Sequence, residues 1–169
     1  SLVGSEMCIR DRWRYVYCVE YQKDCPIGGL KMQFKGWSNR KVAYALYYGA
    51  LYYGYPCRYE PYSTGDWQMD YFVTQVAVHI LNGEFTLAAA RNGMNKSNAT
   101  TAEKNLAYDR ISKIVAAANE TSNYGGFTAD GWLDMESCTF SLNGYNNSWS
   151  LQNGRYLSGG NFHGNFQSY

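Results

Sequence analysis

The stretch from Asp70 to Gly83 is apolar almost all the way round, which predicts a short, buried helix. Asp70 is a suitable N-cap, and Asn82 with Gly83 provides a suitable exit through a left-handed residue. Gln75 and His79 are polar exceptions one turn apart in this apolar helix. A buried amide without hydrogen bonds costs about 1–3 kcal/mol on mutational scales. We therefore expect both side chains to have hydrogen-bond partners in the core.

Two further helices are predicted. Thr100 and Glu103 form a capping box ahead of an apolar stripe that ends around residues 119–123. We interpret this stripe as core packing; it consists of Ala107, Ile111, Ile114, Val115 and Ala118. An earlier helix is expected from about Asn39 to Tyr53, with Ser38 as its N-cap. Residues 84–98 are ambiguous, with a helical turn possible between Phe85 and Arg91.

Strands are predicted at both ends of the chain. Residues 13–20 alternate in the manner of a strand, with Cys18 inside it, and residues 30–34 suit a second, brief strand. After Trp132, short alternating runs are separated by Asn-Gly, Asn-Asn and Gly-Gly pairs, which favour antiparallel hairpins. The expected fold class is α+β, with a helical subdomain packed on an antiparallel sheet or sandwich that contains the Cys18 strand, and a β-rich C-terminal part.

Three regions are expected along the chain. Residues 1–12 resemble a translated sequencing-adapter peptide, so we exclude them, including Cys8, from the fold prediction. Residues 13–135 are expected to form the core of one domain. Residues 136–169 would be the β-rich end of that domain or the start of a following β module. We expect native sequence to be missing at both ends.

Composition narrows the possible partners. The chain of 169 residues is 46% apolar, enough for a core, and its formal charge of +1 gives no reason to expect a nucleic acid or an anionic membrane as partner. No apolar run is long enough to span a bilayer. The 17 tyrosines suit an adhesive or carbohydrate-contacting surface, although most of these rings are expected to be core residues with an exposed hydroxyl.

The cysteines decide which chemistry is available. Cys18, Cys25, Cys57 and Cys138 lack metal-site spacing, so we expect no metal and no cofactor. Cys25 and Cys57 lie in predicted loops and could pair in an oxidising compartment. Cys18 could be a small buried apolar residue or a nucleophile. As a nucleophile held against a desolvated carboxamide, it could expel ammonia from Gln75 and leave an internal thioester.

Two short motifs carry a family resemblance. Tyr17-Cys18-Val19, followed by Thr74-Gln75-Val-Ala-Val78, resembles the paired motifs of the thioester domains of Gram-positive surface adhesins. The tyrosine-rich helix with its Gly-Tyr-Pro56 exit between the two motifs is also similar to those domains, and the likeness covers most of residues 13–135. His79 stands where that family usually has tryptophan.

This resemblance implies a covalent adhesin rather than an enzyme, because each thioester reacts once. Gln75 would carry the acyl group, Cys18 would be the leaving group, and Tyr17 or Thr74 would help to orient the carbonyl. His79 would be a base toward the incoming amine or a packing residue. The implied partner is a lysine amine of a host-surface protein, with glycan hydroxyls or small amines as other acceptors. The implied location is the bacterial cell surface, outside the cell.

Three other functions stay open. A cysteine hydrolase or transglutaminase would use Cys18 with His79 or His163 and an acid or amide such as Asp130, without a recognisable local signature. A noncovalent carbohydrate-binding module would explain the tyrosines but not a buried glutamine beside a buried cysteine. A purely structural stalk would need neither residue.

Overall fold

The protein is described from a computed structural model. The structure describes the backbone of residues 5–9, 12–22, 32–37, 40–57 and 59–120, and of five strands between residues 132 and 168. Side chains are described for residues 17–22 and for residues 41–120, apart from positions 43 and 58.

Four helices form the part of the molecule that holds the candidate site. They are α1 (Arg40–Tyr48), α2 (Trp67–Leu81), α3 (Leu87–Asn95) and α4 (Thr101–Asn119), with a 3-10 turn at Glu60–Tyr62. Helices α2 and α4 pack closely on each other, and α1 packs against both. Their shared core includes Val42 of α1, Val73 and Val78 of α2, and Ile111 and Ile114 of α4, each no more than 2% exposed.

The predicted packing of the helices on a sheet that contains Cys18 is wrong. The part of the chain with described side chains is helical and contains no sheet. The strand nearest to Cys18 ends at Val16, so Cys18 lies in an irregular segment after it. The alternation of residues 13–20 continues past the strand because Tyr17 and Val19 pack on the helical core instead of on a neighbouring strand.

The strands pair with one another. They are β1 (Ser5–Ile9), β2 (Arg12–Val16), β3 (Met32–Trp37), β4 (Trp132–Asp134), β5 (Ser137–Leu142), β6 (Tyr145–Ser150), β7 (Arg155–Leu157) and β8 (Gly164–Ser168). One antiparallel sheet has the order β2-β1-β5-β6, and β3 with β8 and β4 with β7 form antiparallel pairs. Strand β1 falls within the twelve residues that the sequence prediction excluded.

Helix α4 confirms its prediction closely. Thr100 is the N-cap, and its hydroxyl accepts the N–H of Glu103 while the Glu103 carboxylate accepts the N–H of Thr100. All five residues of the predicted stripe are buried. Helix α3 occupies most of the ambiguous region, because the Thr86 side chain caps it by accepting the N–H of Ala89.

Helix α2 starts earlier than predicted. Its N-cap is Asp66, whose side chain accepts the N–H of Met69, and the proposed cap Asp70 lies inside the first turn at 1% exposure. The predicted exit is confirmed, because Gly83 follows Asn82 with a φ of 79°. The sequence signal was misread because Asp66 and Asp70 are both acceptable caps and the apolar run begins after the second.

Helix α1 ends at Tyr48, short of the predicted Tyr53. A Cβ on Gly49 would lie 2.5 Å from the carbonyl oxygen of Ala45 and 2.5 Å from Oγ1 of Thr74. The absence of a side chain therefore lets the chain pass close over α2, where the N–H of Ala50 donates to Thr74 Oγ1 at 2.8 Å. This contact with α2 replaces the next turn of α1.

Candidate functional site

Cys18 and Gln75 lie directly against each other. The N–H of Cys18 donates to Oε1 of Gln75 at 2.9 Å, and Nε2 of Gln75 donates to the carbonyl oxygen of Cys18 at 2.9 Å. The two residues are 57 positions apart in the chain. Gln75 is 3% exposed, so both polar ends of its buried amide are satisfied by the backbone of one residue. This pairing fixes the orientation of the amide.

The chain on either side of Cys18 is held along α2 by hydrogen bonds; we call residues 17–22 the cysteine segment. At its start, the Tyr17 hydroxyl donates to the carbonyl oxygen of Ala50, and the Tyr17 ring stacks on Tyr71 at 5.0 Å between centroids. Beyond Cys18, Nδ2 of Asn82 donates to the carbonyl oxygen of Val19 at 3.2 Å. The segment thus runs in the same direction as α2, from its second turn to its C-terminal end.

Tyr17 and Thr74 act on the site through the backbone. The Thr74 hydroxyl donates to the carbonyl oxygen of Asp70 at 2.8 Å and accepts the N–H of Ala50. Ala50 is in turn the residue whose carbonyl accepts from Tyr17. Both residues therefore secure the cysteine segment, and the group that contacts the Gln75 carbonyl oxygen is the N–H of Cys18.

His79 lies one turn beyond Gln75 and belongs to a second polar group. Its Nδ1 is 2.7 Å from Oε2 of Glu84, and its ring contacts the rings of Tyr21 and Phe85 at 5.6 and 5.5 Å between centroids. The other carboxylate oxygen of Glu84 accepts the N–H of Tyr21 at 2.6 Å. One carboxylate therefore joins His79 to the cysteine segment, and both Gln75 and His79 lie on the face of α2 that this segment covers.

The sequence prediction missed Glu84 and the role of Asn82. Asn82 was interpreted only as a helix exit, and Glu84 fell in the ambiguous region. Their position was the feature that could have indicated this role. Polar side chains just past the C-terminus of a helix can reach a segment that runs along that helix. The direction of that chain could not be known from sequence.

The other predicted residues are not part of this site. The Cys57 thiol donates to the carbonyl oxygen of Tyr48, and the Cys57 N–H donates to Asp70. Its suggested disulfide partner, Cys25, lies outside the described residues, as do His163 and Asp130. Cys138 lies in β5, where side chains are not described.

The described tyrosines divide between core and surface, and fewer are fully buried than predicted. Tyr44 and Tyr62 are buried and share a hydrogen bond of 2.7 Å between their hydroxyls. Burial raises the pKa of both phenols. Tyr21, Tyr55 and Tyr59 are exposed, and Tyr21, at 61% exposure, makes an edge-to-face contact with the His79 ring. An aromatic side chain therefore borders the candidate site on its solvent side.

Within the described ranges, no cluster of histidine, cysteine, aspartate and glutamate is suited to a metal ion. None of the described helices combines the length and the apolar character needed to cross a bilayer. No protein-family model, curated protein or solved structure matches this chain.

Proposed function

We propose that Cys18 and Gln75 form an internal thioester that captures an amine covalently. The observation that carries the proposal is the reciprocal pairing of the Gln75 amide with the N–H and carbonyl of Cys18. A hydrogen-bonded core glutamine could use any backbone groups in reach. Here it uses those of the cysteine whose neighbours resemble the cysteine motif of adhesin thioester domains.

Formation of the thioester needs an activated carbonyl and a nearby thiol. The Cys18 sulfur adds to Cδ of Gln75, and the negative charge that develops on Oε1 is stabilised by the Cys18 N–H that already donates to it. The C–N bond then breaks, and Nε2 leaves as ammonia after taking the thiol proton. The products are one thioester and one ammonia. The Cys18 thiol donates to the carbonyl of Glu20 at 3.4 Å, so it must rotate toward Gln75 for this step.

Burial favours the survival of the product. Gln75 is 3% exposed, and the cysteine segment covers it, so bulk water has little access to the acyl carbon. An amine that reaches this carbon forms a C–N bond while the C–S bond breaks. The sulfur leaves as the Cys18 thiol with a proton from the amine. The acceptor stays attached to Gln75 through an amide, in a single turnover.

The class of acceptor follows from the resemblance. We propose a lysine amine on a host-surface protein as the partner and the bacterial cell surface as the location. Amines are better nucleophiles toward thioesters than water or sugar hydroxyls. The same chemistry therefore allows small amines to serve as probes of the site.

The experiment is an intact mass measurement on the freshly purified 169-residue chain, with and without methylamine. We expect the wild-type mass to be lower by one ammonia and methylamine to add to Gln75. Neither the mass loss nor the adduct should occur in Cys18→Ala or Gln75→Ala. Cys57→Ser and Gln68→Ala are matched controls, because they alter another cysteine and an exposed glutamine of α2 and should retain both signals.

Two results would contradict the proposal. The first is an unmodified mass in folded wild-type protein, which would leave Cys18 and Gln75 as core residues and favour noncovalent sugar binding. The second is repeated turnover of an added amide or ester substrate that depends on Cys18, which would indicate a hydrolase or transglutaminase instead. Circular dichroism on every variant establishes that the helices are formed.

A further inference from the structure

We propose that His79 is the general base that deprotonates the amine attacking the thioester, and that Glu84 positions it. This inference rests on the proposed function and adds a residue role to it. The main supporting observation is the hydrogen bond between Nδ1 of His79 and Oε2 of Glu84 at 2.7 Å. His79 lies on the same face of α2 as Gln75.

The carboxylate determines which ring nitrogen is available. A proton on Nδ1 is favoured by the carboxylate oxygen of Glu84, so the lone pair of the neutral ring lies on Nε2. The other side-chain contacts of His79 among the described residues are the ring contacts with Tyr21 and Phe85, and Nε2 has no hydrogen-bond partner among those residues. His79 is 6% exposed, so its ring is buried. A buried ring nitrogen with no partner among the described residues is suited to accept a proton from the amine.

Placement relative to the acyl carbon supports the same role. Residues four apart on a helix are neighbours on one face, so His79 lies beside Gln75 on the surface of α2. The cysteine segment covers both residues, with Cys18 at Gln75 and Tyr21 at His79. An amine that reaches the acyl carbon therefore enters beside the imidazole.

The proton balance is simple. As the amine nitrogen bonds to Cδ of Gln75, one N–H proton passes to Nε2 of His79, and the resulting imidazolium is paired with Glu84. When the C–S bond breaks, that proton passes from the imidazolium to the Cys18 sulfur. The ring returns to its neutral form, and no other reactant is consumed.

Glu84 is a positioning residue for both partners of the reaction. Its Oε2 holds the imidazole and its Oε1 accepts the N–H of Tyr21, three residues after Cys18. Among the residues with described side chains, the titratable or charged groups that face His79 are Glu84, from the loop after α2, and the Tyr21 phenol, from the cysteine segment. The Glu84 carboxylate is the one that stabilises a positive charge on the ring.

The test measures the rate of methylamine addition to the thioester, expressed per concentration of unprotonated methylamine, between pH 5 and 9. In wild type, this rate constant should rise with pH and then level off, as general-base catalysis requires. In His79→Asn, the amide can still donate to Glu84 but lacks an atom at the Nε2 position. We expect a thioester with a rate constant about 100-fold lower and independent of pH.

Companion variants separate a base from a packing residue. His79→Phe removes the base and also the bond to Glu84, and should be as slow as His79→Asn. Glu84→Gln keeps an acceptor for Tyr21 and should lower the rate while leaving a pH-dependent profile. A flat wild-type profile, or a His79→Asn rate equal to wild type, would overturn the role of His79. Absence of the ammonia loss in wild type would instead overturn the thioester itself.

Discussion

The buried side chains of α2 form two sets that are held in different ways. The apolar set packs in the core: Val73, Ala77 and Val78 are fully buried with Ile111 and Ile114 of α4. The polar set consists of buried side chains whose partners belong to irregular chain on either side of the helix. These polar side chains are Asp70, Thr74, Gln75 and His79, each no more than 6% exposed.

The polar side chains of α2 bind loops where a sheet was expected. Each of these four side chains binds a backbone group or a side chain outside α2, and three of them bind chain that comes before the helix. Hydrogen bonds are directional, so these side chains can fix the position of an irregular segment. Apolar packing alone would hold the helices together without specifying where Cys18 lies.

The largest expected effect comes from Asp70, which makes the most hydrogen bonds of the four polar side chains. Its carboxylate accepts from the N–H of Cys57 at 2.8 Å, from the Ser63 hydroxyl at 2.8 Å, and from the N–H and hydroxyl of Thr64 at 2.7 and 2.6 Å. Asp70→Ala leaves these donors without an acceptor, and we expect the free energy of unfolding to fall by about 3–5 kcal/mol. Urea denaturation followed by circular dichroism measures it.

Asp109 on α4 provides the control for this prediction. Its carboxylate is 47% exposed and is paired with Lys113 at 3.0 Å, so Asp109→Ala should cost about 0.5 kcal/mol or less. Asp70→Asn, which keeps one acceptor oxygen, should fall between the two. If Asp70→Ala and Asp109→Ala have equal effects, the buried polar side chains of α2 do not hold the loops together.

A smaller effect is expected at Gly49, where the chain after α1 passes close to Thr74 of α2. Gly49→Ala would put a Cβ 2.5 Å from both Ala45 O and Thr74 Oγ1, so α1 must shift and the bond between Ala50 and Thr74 must lengthen. We expect a loss of about 1–3 kcal/mol. Gly93→Ala in α3 is the matched control, because no atom lies within 4 Å of its added Cβ.

The control should change stability in the opposite direction. Alanine has the higher helix propensity, so Gly93→Ala should stabilise the protein by about 0.5–1 kcal/mol. Thermal unfolding of both variants beside wild type gives the comparison. Destabilisation of similar size in both would mean that the contact between Gly49 and Thr74 does not limit the packing of α1 on α2.

The difference between apolar packing and long-range hydrogen bonding also explains what could be predicted from the sequence. Apolar spacing and local capping chemistry predicted the stripe of α4, its capping box and the exit of α2, because those signals depend on residues near one another in the chain. The pairing of Cys18 with Gln75 was reached through a resemblance between motifs. Periodicity alone cannot indicate which distant backbone groups an amide will bind.

The errors have physical causes of the same kind. Alternating residues 13–20 indicated a strand, yet the chain leaves the strand at Val16 because Cys18 hydrogen-bonds to a side chain of α2 instead of to a neighbouring strand. Asp70 was interpreted as a cap because Asp at the start of an apolar run commonly is one. Its true partners lie 6 to 13 residues earlier, in loops that carry no periodic signal.

The smallest effect is expected at the start of α4, where hydrogen bonds to a carboxylate are fully exposed. The Thr100 backbone N–H and side chain hold the pKa of Glu103 below its ordinary value of 4.5. The stabilisation that the ionised Glu103 carboxylate provides is therefore present above pH 4.5 and is lost as the pH falls through the lower folded-state pKa.

Glu103→Gln should lower the free energy of unfolding at pH 7 and have little effect at pH 2.5. Thr100→Ala should cost about 1 kcal/mol at pH 7 and should still destabilise the protein at pH 2.5, since its hydroxyl also accepts the N–H of Glu103. Chemical denaturation of both variants at the two pH values is the measurement. If the effect of Glu103→Gln is the same at pH 2.5 as at pH 7, the charge of the Glu103 carboxylate does not stabilise this cap. The exposed hydrogen bonds would then stabilise the helix start without any contribution from that charge.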